Sequence, residues 1–202
     1  MLDYIRELEK GKNNAKKGIF EFNEFLSWEL KGKTFGIIGL GNIGKRVFEI
    51  ALGFGLNVIY WSRNRKMDYE EKGARYVELD DLIKSSDVIA VHLARNEETE
   101  GIINKNRLNL IKKGAVVIIF TSLKLMDISN LIDLLNQGKF TLISDYLDML
   151  PEEEWKKLVQ LNNVVAYPPI AFRTKEAIQR QKDLLIDNLV KFSEGNTQNK
   201  VN

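Results

Sequence analysis

An α/β fold with a parallel, doubly wound sheet and helices on both faces is predicted for this chain from three observations. Short apolar runs of strand length alternate with helical patterns from residue 33 onward, the arrangement that builds parallel βαβ units. The first run opens directly into a glycine turn, Gly39-Leu40-Gly41-Asn42-Ile43-Gly44, with a helical pattern after it. The longest apolar run, residues 115–120, is far too short to cross a bilayer and reads as a buried strand.

Each element has its own signal. Leu2, Ile5 and Leu8 stand at helical spacing among charges, so residues 1–10 are expected to form a helix. The lysine-rich stretch 11–18 reads as a break. Ile19, Phe20, Phe22, Phe25, Leu26, Trp28 and Leu30 then crowd together without clean periodicity. An arm this aromatic is expected to bury itself, against a second copy of the chain in one reading. Strands are predicted at 34–38, 57–61, 74–77, 88–93, 115–120, 140–144 and 164–166. Helices are predicted over 43–54, from near Asp80, and over 128–136, where Asp127 supplies the cap and Gly138 the terminating residue. Thr174 caps a closing helix that runs to about Ser193, before a polar tail. The domain reading is an N-terminal helix and arm at 1–31, the sheet domain at 32–173, the closing helix at 174–195 and the tail at 196–202.

Composition narrows the function classes. Thirty basic side chains against 28 acidic ones leave a net charge of +2, which gives no reason to propose nucleic acid or an anionic membrane as partner. The absence of cysteine excludes disulfides, thiolate metal sites and cysteine nucleophiles. Asp3, Arg6, Glu7, Glu9 and Lys10 charge the first ten residues, unlike a signal peptide. A cytoplasmic location is the expectation.

The glycine turn carries the strongest functional signal. Gly39 allows the tight turn, Gly41 lets backbone approach a pyrophosphate, and Gly44 permits close helix packing. Asn42 and Ile43 open the helix, whose free N–H groups and positive dipole end suit phosphate. The G-x-G-x-x-G spacing alone is weak, but here it follows a strand, opens a helix and precedes a second strand, which is the Rossmann context for dinucleotides. The alternative is a tight turn with no ligand. The end of the second strand chooses between cofactors, and an acidic residue there would hold the ribose of NAD. This chain has Ser62-Arg63-Asn64-Arg65 instead. A hydroxyl at Ser62 and guanidinium groups at Arg63 and Arg65 suit a 2′-phosphate, so NADP is expected, with NAD as the alternative. The competing reading is a solvated basic loop.

Several further segments occur in one order: Glu29-Leu30-Lys31-Gly32-Lys33-Thr34, Val91-His92-Leu93, Thr99-Glu100-Gly101-Ile102-Ile103-Asn104, Lys113-Gly114-Ala115, Gly138-Lys139 and Asn163-Val164-Val165. With the glycine turn, they make residues 30–202 resemble the cofactor domain of the D-isomer-specific 2-hydroxyacid dehydrogenases. The resemblance adds Leu93, Thr99, Thr121 and Asp145 to the cofactor-facing set, Asp145 matching an aspartate near the nicotinamide. It implies that the first thirty residues are a domain-crossing helix and subunit-contact arm, hence a homodimer. It also implies that a substrate domain, which closes over substrate in the family, is missing from this sequence.

The family's catalytic positions carry other residues. Its carboxylate-gripping arginine aligns with Ser122, which cannot make the bidentate pair that guanidinium makes. Its histidine aligns with Pro169, which has no side-chain proton to move. Its glutamate aligns with Leu150. Lys124, Arg173 and the run Glu152-Glu153-Glu154 lie close by as substitutes, and the one histidine, His92, sits at a strand end and reads as structural. Four readings stay open: a non-catalytic dinucleotide-binding protein, a working oxidoreductase with substitute residues and a lid from another chain, a dimeric interaction module, and a shortened product without activity. No metal site is expected.

Overall fold

A computed structural model describes residues 1–200. The chain divides into two compact units, one from Met1 to Pro168 and one from Pro169 onward. In the first unit, seven parallel strands form one sheet: β1 (Thr34–Ile38), β2 (Asn57–Trp61), β3 (Arg75–Tyr76), β4 (Val88–Val91), β5 (Val116–Ile119), β6 (Thr141–Ser144) and β7 (Val164–Ala166), in spatial order β3-β2-β1-β4-β5-β6-β7. The order reverses between β1 and β4. At such a switch point the connections leave to opposite faces and a crevice opens beyond the strand ends. The fold class predicted from sequence is the one observed.

Helices cover both faces. α1 (Leu2–Ile5), α2 (Leu8–Lys16), α3 (Asn42–Gly53), α4 (Met67–Glu70), α5 (Leu79–Ser85), α6 (Lys105–Leu110), α7 (Ile128–Asn136) and α8 (Glu152–Leu158) belong to the first unit. Alternate strand residues feed two cores. Ile38, Ile59, Ile89, Val91, Val117, Ile119 and Leu142 pack with Leu82 of α5, Leu108 of α6 and Leu131 of α7. Phe35, Ile37, Val58, Tyr60, Val88, Ala90 and Val116 pack with Phe48 of α3 and Ile5 of α1. Gly36 faces α5 so closely that a Cβ there would meet Ser86 Oγ at 2.2 Å and Leu82 Cδ2 at 2.6 Å. The bare backbone at Gly36 is what allows β1 and α5 to approach.

Caps fall where the side chains supply them. Asp127 accepts the Asn130 amide at 3.0 Å, and Gly138 follows α7 with φ +64°. In the second unit Thr174 accepts the Ala177 amide at 3.0 Å and starts α9 (Lys175–Ser193). That helix keeps Leu184, Leu185, Ile186, Leu189 and Phe192 exposed within its unit.

The N-terminus corrects the sequence reading twice. The helix expected over 1–10 is interrupted at Glu7, whose φ of +48° breaks it into α1 and α2. The expected break at 11–18 is helical as far as Lys16, because Lys12, Ala15 and Lys16 are good helix formers and can carry a solvated helix that has no buried residue. Only Gly18, at φ +76°, ends it. The arm is also barely buried within this chain. Leu30 is buried and Phe25 and Trp28 are half-buried, whereas Phe20, Phe22 and Leu26 are 78%, 78% and 94% exposed. Three short helices, α4, α6 and α8, and the 3-10 turns Leu123–Leu125 and Leu147–Met149 had no periodic signal long enough to read.

At the N-terminal edge of the sheet, Asp87 ties three segments together. Its carboxylate accepts the Thr34 amide at 2.9 Å and the Lys112 ammonium at 2.9 Å. Partial burial pushes Asp87 up, but the Thr34 amide and Lys112 outweigh it and hold the carboxyl below its ordinary value. A carboxylate lowered in the folded state stabilises the fold above its unfolded pKa of about 3.9, and that stabilisation is lost as pH falls through the folded value. Asp87→Asn is therefore expected to lower the melting temperature at pH 7. The gap to wild type should close progressively on acidification below about pH 4, measured by thermal melts across the pH range. A gap that is unchanged at pH 3 would contradict this account.

Candidate functional site

The crevice at the switch point is built by backbones in near contact. The Gly39 amide donates to the Trp61 carbonyl at 2.8 Å, and the His92 amide donates to the Ile38 carbonyl at 2.8 Å. Gly39 has φ +100°, and a Cβ on it would lie 2.9 Å from the His92 carbonyl oxygen and 2.9 Å from Leu93 Cδ2. A Cβ on Gly44 would lie 2.1 Å from the Gly39 carbonyl oxygen. The third glycine therefore packs helix against loop, and also against the sheet as expected from sequence, where the same Cβ would lie 3.3 Å from Ile37 Cγ2. Gly41 differs from both: no atom stands within 4 Å of the Cβ it lacks. It is the N-cap of α3 and offers no side-chain cap. The first turn of α3, opened by Asn42 and the exposed Ile43, thus has no side-chain cap at its positive dipole end, beside the open space at Gly41.

The other predicted residues divide into those that meet this crevice and those that do not. Thr121, after β5, donates its hydroxyl to the Leu93 carbonyl at 3.2 Å, so Leu93, Thr121 and Gly39 form one wall. Thr99 anchors the loop after β4, donating to the Ala94 carbonyl at 2.8 Å and receiving the Asn96 amide at 2.8 Å. Asp145, directly after β6, is 2% exposed. Ser122, half-buried, caps the 3-10 turn after β5 by accepting the Lys124 amide at 3.3 Å, while Lys124 itself is exposed. Leu150 lies in the core among residues from β5, β6 and α8. Pro169 and Arg173 are exposed residues of the second unit. Glu152, Glu153 and Glu154 form the first turn of α8.

At the end of β2 the three candidate phosphate ligands are in different states. Ser62 is 8% exposed, and its hydroxyl donates to the Asn64 carbonyl at 2.6 Å. Arg65 turns to Glu70: its Nε donates at 3.0 Å and its terminal nitrogen pairs with the other carboxylate oxygen. Its guanidinium also lies 5.3 Å from the Tyr76 ring centroid, and the Tyr60 hydroxyl donates to the same Glu70 at 2.8 Å. Arg65 thus braces β2 against α4. Arg63 is exposed and reaches Glu98 at 3.0 Å across a cleft of about 270 Å³ with Trp61, Leu93 and Ile102 in its walls. Glu98 was not singled out from the sequence. Its partner stands 35 positions away, and no local pattern announces such a pair.

His92 presents a buried Nε2 with no hydrogen-bond partner, and burial pushes its pKa down. Burial therefore favours the neutral ring. Among the described residues no group of acidic or histidine side chains is arranged to hold a metal ion, and no helix is long and apolar enough to cross a membrane.

Residues 1–171 match the family described as D-isomer specific 2-hydroxyacid dehydrogenase, NAD binding domain. A glyoxylate reductase of Thermococcus litoralis is 38% identical over 174 residues, which are 85% of this chain and 52% of that protein. The D-lactate dehydrogenase of Aquifex aeolicus, solved with NAD and lactic acid, superposes with a TM-score of 0.87 at 31% identity, over 96% of this chain and 64% of that one. An acyclic imino acid reductase solved with NADPH and D-Arg gives 0.85 at 30% identity, over 100% of this chain and 64% of that one. The chain spans about half the length of the curated relatives it matches.

Two of the three glycines of the turn, Gly41 and Gly44, are expected to respond differently to a methyl group. Gly44→Ala forces a Cβ into a backbone oxygen that has little freedom to move, and a stability loss of at least about 1–3 kcal/mol is expected. Gly41→Ala meets no protein atom and should stay within about 0.5 kcal/mol of wild type. Urea denaturation of both variants checks the pair; equal losses would contradict the geometry.

Proposed function

The chain belongs to the D-isomer-specific 2-hydroxyacid dehydrogenases through their NAD-binding domain, and on that premise we propose that it binds a nicotinamide dinucleotide, NADP(H) ahead of NAD(H), without carrying out the family's usual hydride-transfer chemistry. The uncapped N-terminus of α3 under the bare backbone of Gly41 carries this reading. The residues present fit the group. The amides of Asn42, Ile43 and Gly44 would hold the pyrophosphate, Gly41 leaves it room, and Leu93, Thr99 and Thr121 would line the crevice. Asp145 would stand towards the nicotinamide end. The cofactor, when bound, supplies the hydride; the protein must supply an acid–base group and a grip on the substrate carboxylate.

Preference for NADP rests on the end of β2, where Ser62 and Arg63 replace the carboxylate that would select NAD. The exposed guanidinium of Arg63 is the group offered to a 2′-phosphate, since Arg65 is held by Glu70. The non-catalytic part of the proposal rests on Ser122, Leu150 and Pro169 at the positions that resemble the family's arginine, glutamate and histidine. The second reading is an active reductase of a 2-oxo acid, using substitute residues such as Lys124 and a substrate domain from another chain. The 38% identity to a glyoxylate reductase favours it. We further propose that the chain forms a homodimer through the arm, because Phe20, Phe22 and Leu26 leave a large apolar surface open. A cytoplasmic location belongs to the same proposal.

Titration of the purified chain with NADPH and NADH tests the binding. NADPH should bind at least tenfold more tightly, and Arg63→Gln should remove most of that difference. Equal affinities in wild type would overturn the NADP assignment, and no binding of either would overturn the dinucleotide reading. With bound NADPH, no oxidation is expected on addition of glyoxylate, pyruvate or hydroxypyruvate; turnover would establish the second reading. Sedimentation should show a dimer that Phe20→Ser combined with Phe22→Ser converts to monomer, and a wild-type monomer at all concentrations would refute it.

A further inference from the structure

The loop after β4 reaches over the cleft at the end of β2 and places a carboxylate on the one candidate arginine that the fold has not already used. Arg65 is braced internally by Glu70 and Tyr76. Arg63 is 79% exposed and Glu98 71% exposed, and their 3.0 Å contact joins the two sides of the cleft. Nothing rigid enforces it on the Arg63 side. On the Glu98 side the backbone is fixed: the amides of Glu98 and Thr99 both donate to Asn96 Oδ1 at 3.0 Å. The carboxylate is therefore presented from an ordered turn, while the guanidinium is free to choose between partners.

We propose that Glu98 is a specificity-determining residue that competes with the 2′-phosphate of the cofactor for Arg63. This rests on the dinucleotide reading above. Where no cofactor phosphate competes, Glu98 holds the guanidinium. A 2′-phosphate, with nearly two negative charges and three acceptor oxygens, takes it over through the stronger charge-assisted pair, and Glu98 then stands as a like charge beside it. NADH brings no anion to that place and leaves the pair intact. Glu98 thus narrows the advantage of NADPH over NADH below what Arg63 alone would give. The size of the effect is bounded by the exposure of the pair, since solvent-exposed ion pairs are weak and screened by salt.

The test is a set of Kd values for NADPH and NADH on the full chain carrying Glu98→Gln, Arg63→Gln, both together, or Glu97→Gln. The glutamine at 98 keeps the side-chain shape and the Asn96 turn but removes the charge. Glu98→Gln is expected to tighten NADPH about two- to fivefold while NADH changes less than twofold. Glu97→Gln, the same charge change on an exposed neighbour, should leave the NADPH/NADH ratio where it was. In the Arg63→Gln background the gain from Glu98→Gln should vanish, and raising the salt concentration should shrink it. A gain shared equally by both cofactors, a gain that survives without Arg63, or no change in the ratio would each overturn the proposal while leaving dinucleotide binding in place. Wild type that binds neither cofactor would overturn both.

Discussion

Three backbone segments come within van der Waals range of one another at the switch point, and the rest of the site follows from that approach. The carbonyl of Gly39 abuts Gly44, and Gly39 itself abuts the carbonyl of His92. A side chain at either glycine would push α3 away from the sheet or β4 away from β1. The first-turn amides of α3 would then no longer sit at the mouth of the crevice. The close contact is supported from below by Gly36, which lets α5 settle against the other face of β1. Dense packing on both faces, together with the bare backbone at Gly39 and Gly44, fixes the position of the turn. The one glycine free of this packing, Gly41, is free because its neighbour is solvent.

The charges around the crevice follow a division of labour set by burial. Glu70 is held below its ordinary pKa first by Arg65 and then by the Tyr60 hydroxyl, so this cluster is fixed as an ion pair across the pH range of a cell. It stiffens the edge of the sheet at β2 and β3. Arg63 and Glu98 are exposed and exchange partners at little cost. Two arginines two residues apart thus have opposite roles: one is consumed by the fold and the other is presented by it. Residue type alone does not separate them. What separates them is that Arg65 lies over Tyr76 on the neighbouring strand, whereas Arg63 points into the gap between β2 and the loop after β4.

The sequence was most legible where one physical signal was concentrated in a few residues. The apolar runs of β1, β2 and β7, the Asp127 cap, the Gly138 stop and the Thr174 cap are local, and the structure places them where the pattern does. The helices α4 and α6 are too short for a period to be read, and α2 has no apolar face to give one. The break at Glu7 was not legible because a left-handed glutamate has no sequence signature. In the candidate site, the glycine turn was legible from spacing. The roles of Ser62 and Arg65 were not, because a hydroxyl satisfied by its own turn and a guanidinium satisfied by a helix look the same in sequence as free ones. Glu98 was hidden for the opposite reason: its meaning lies in a partner brought to it by the crossover between β2 and β4.

The three positions that align with the family's catalytic residues are not equivalent in physical terms. Ser122 is half-buried at the rim of the sheet, beside the exposed Lys124, so a larger polar group there would find water. Leu150 is different. It packs into the core with Leu147, Leu158 and Val164, and a carboxylate at that position would lose most of its solvation. Pro169 removes both a side-chain proton and a backbone donor. On the proposed non-catalytic reading, the change at Leu150 is the one woven into the packing of the domain, while none of the three side chains takes part in the close contacts of the glycine turn. Those contacts lie among Gly39, Gly44 and the His92 carbonyl, so the geometry of the turn does not require a catalytic group at any of the three positions.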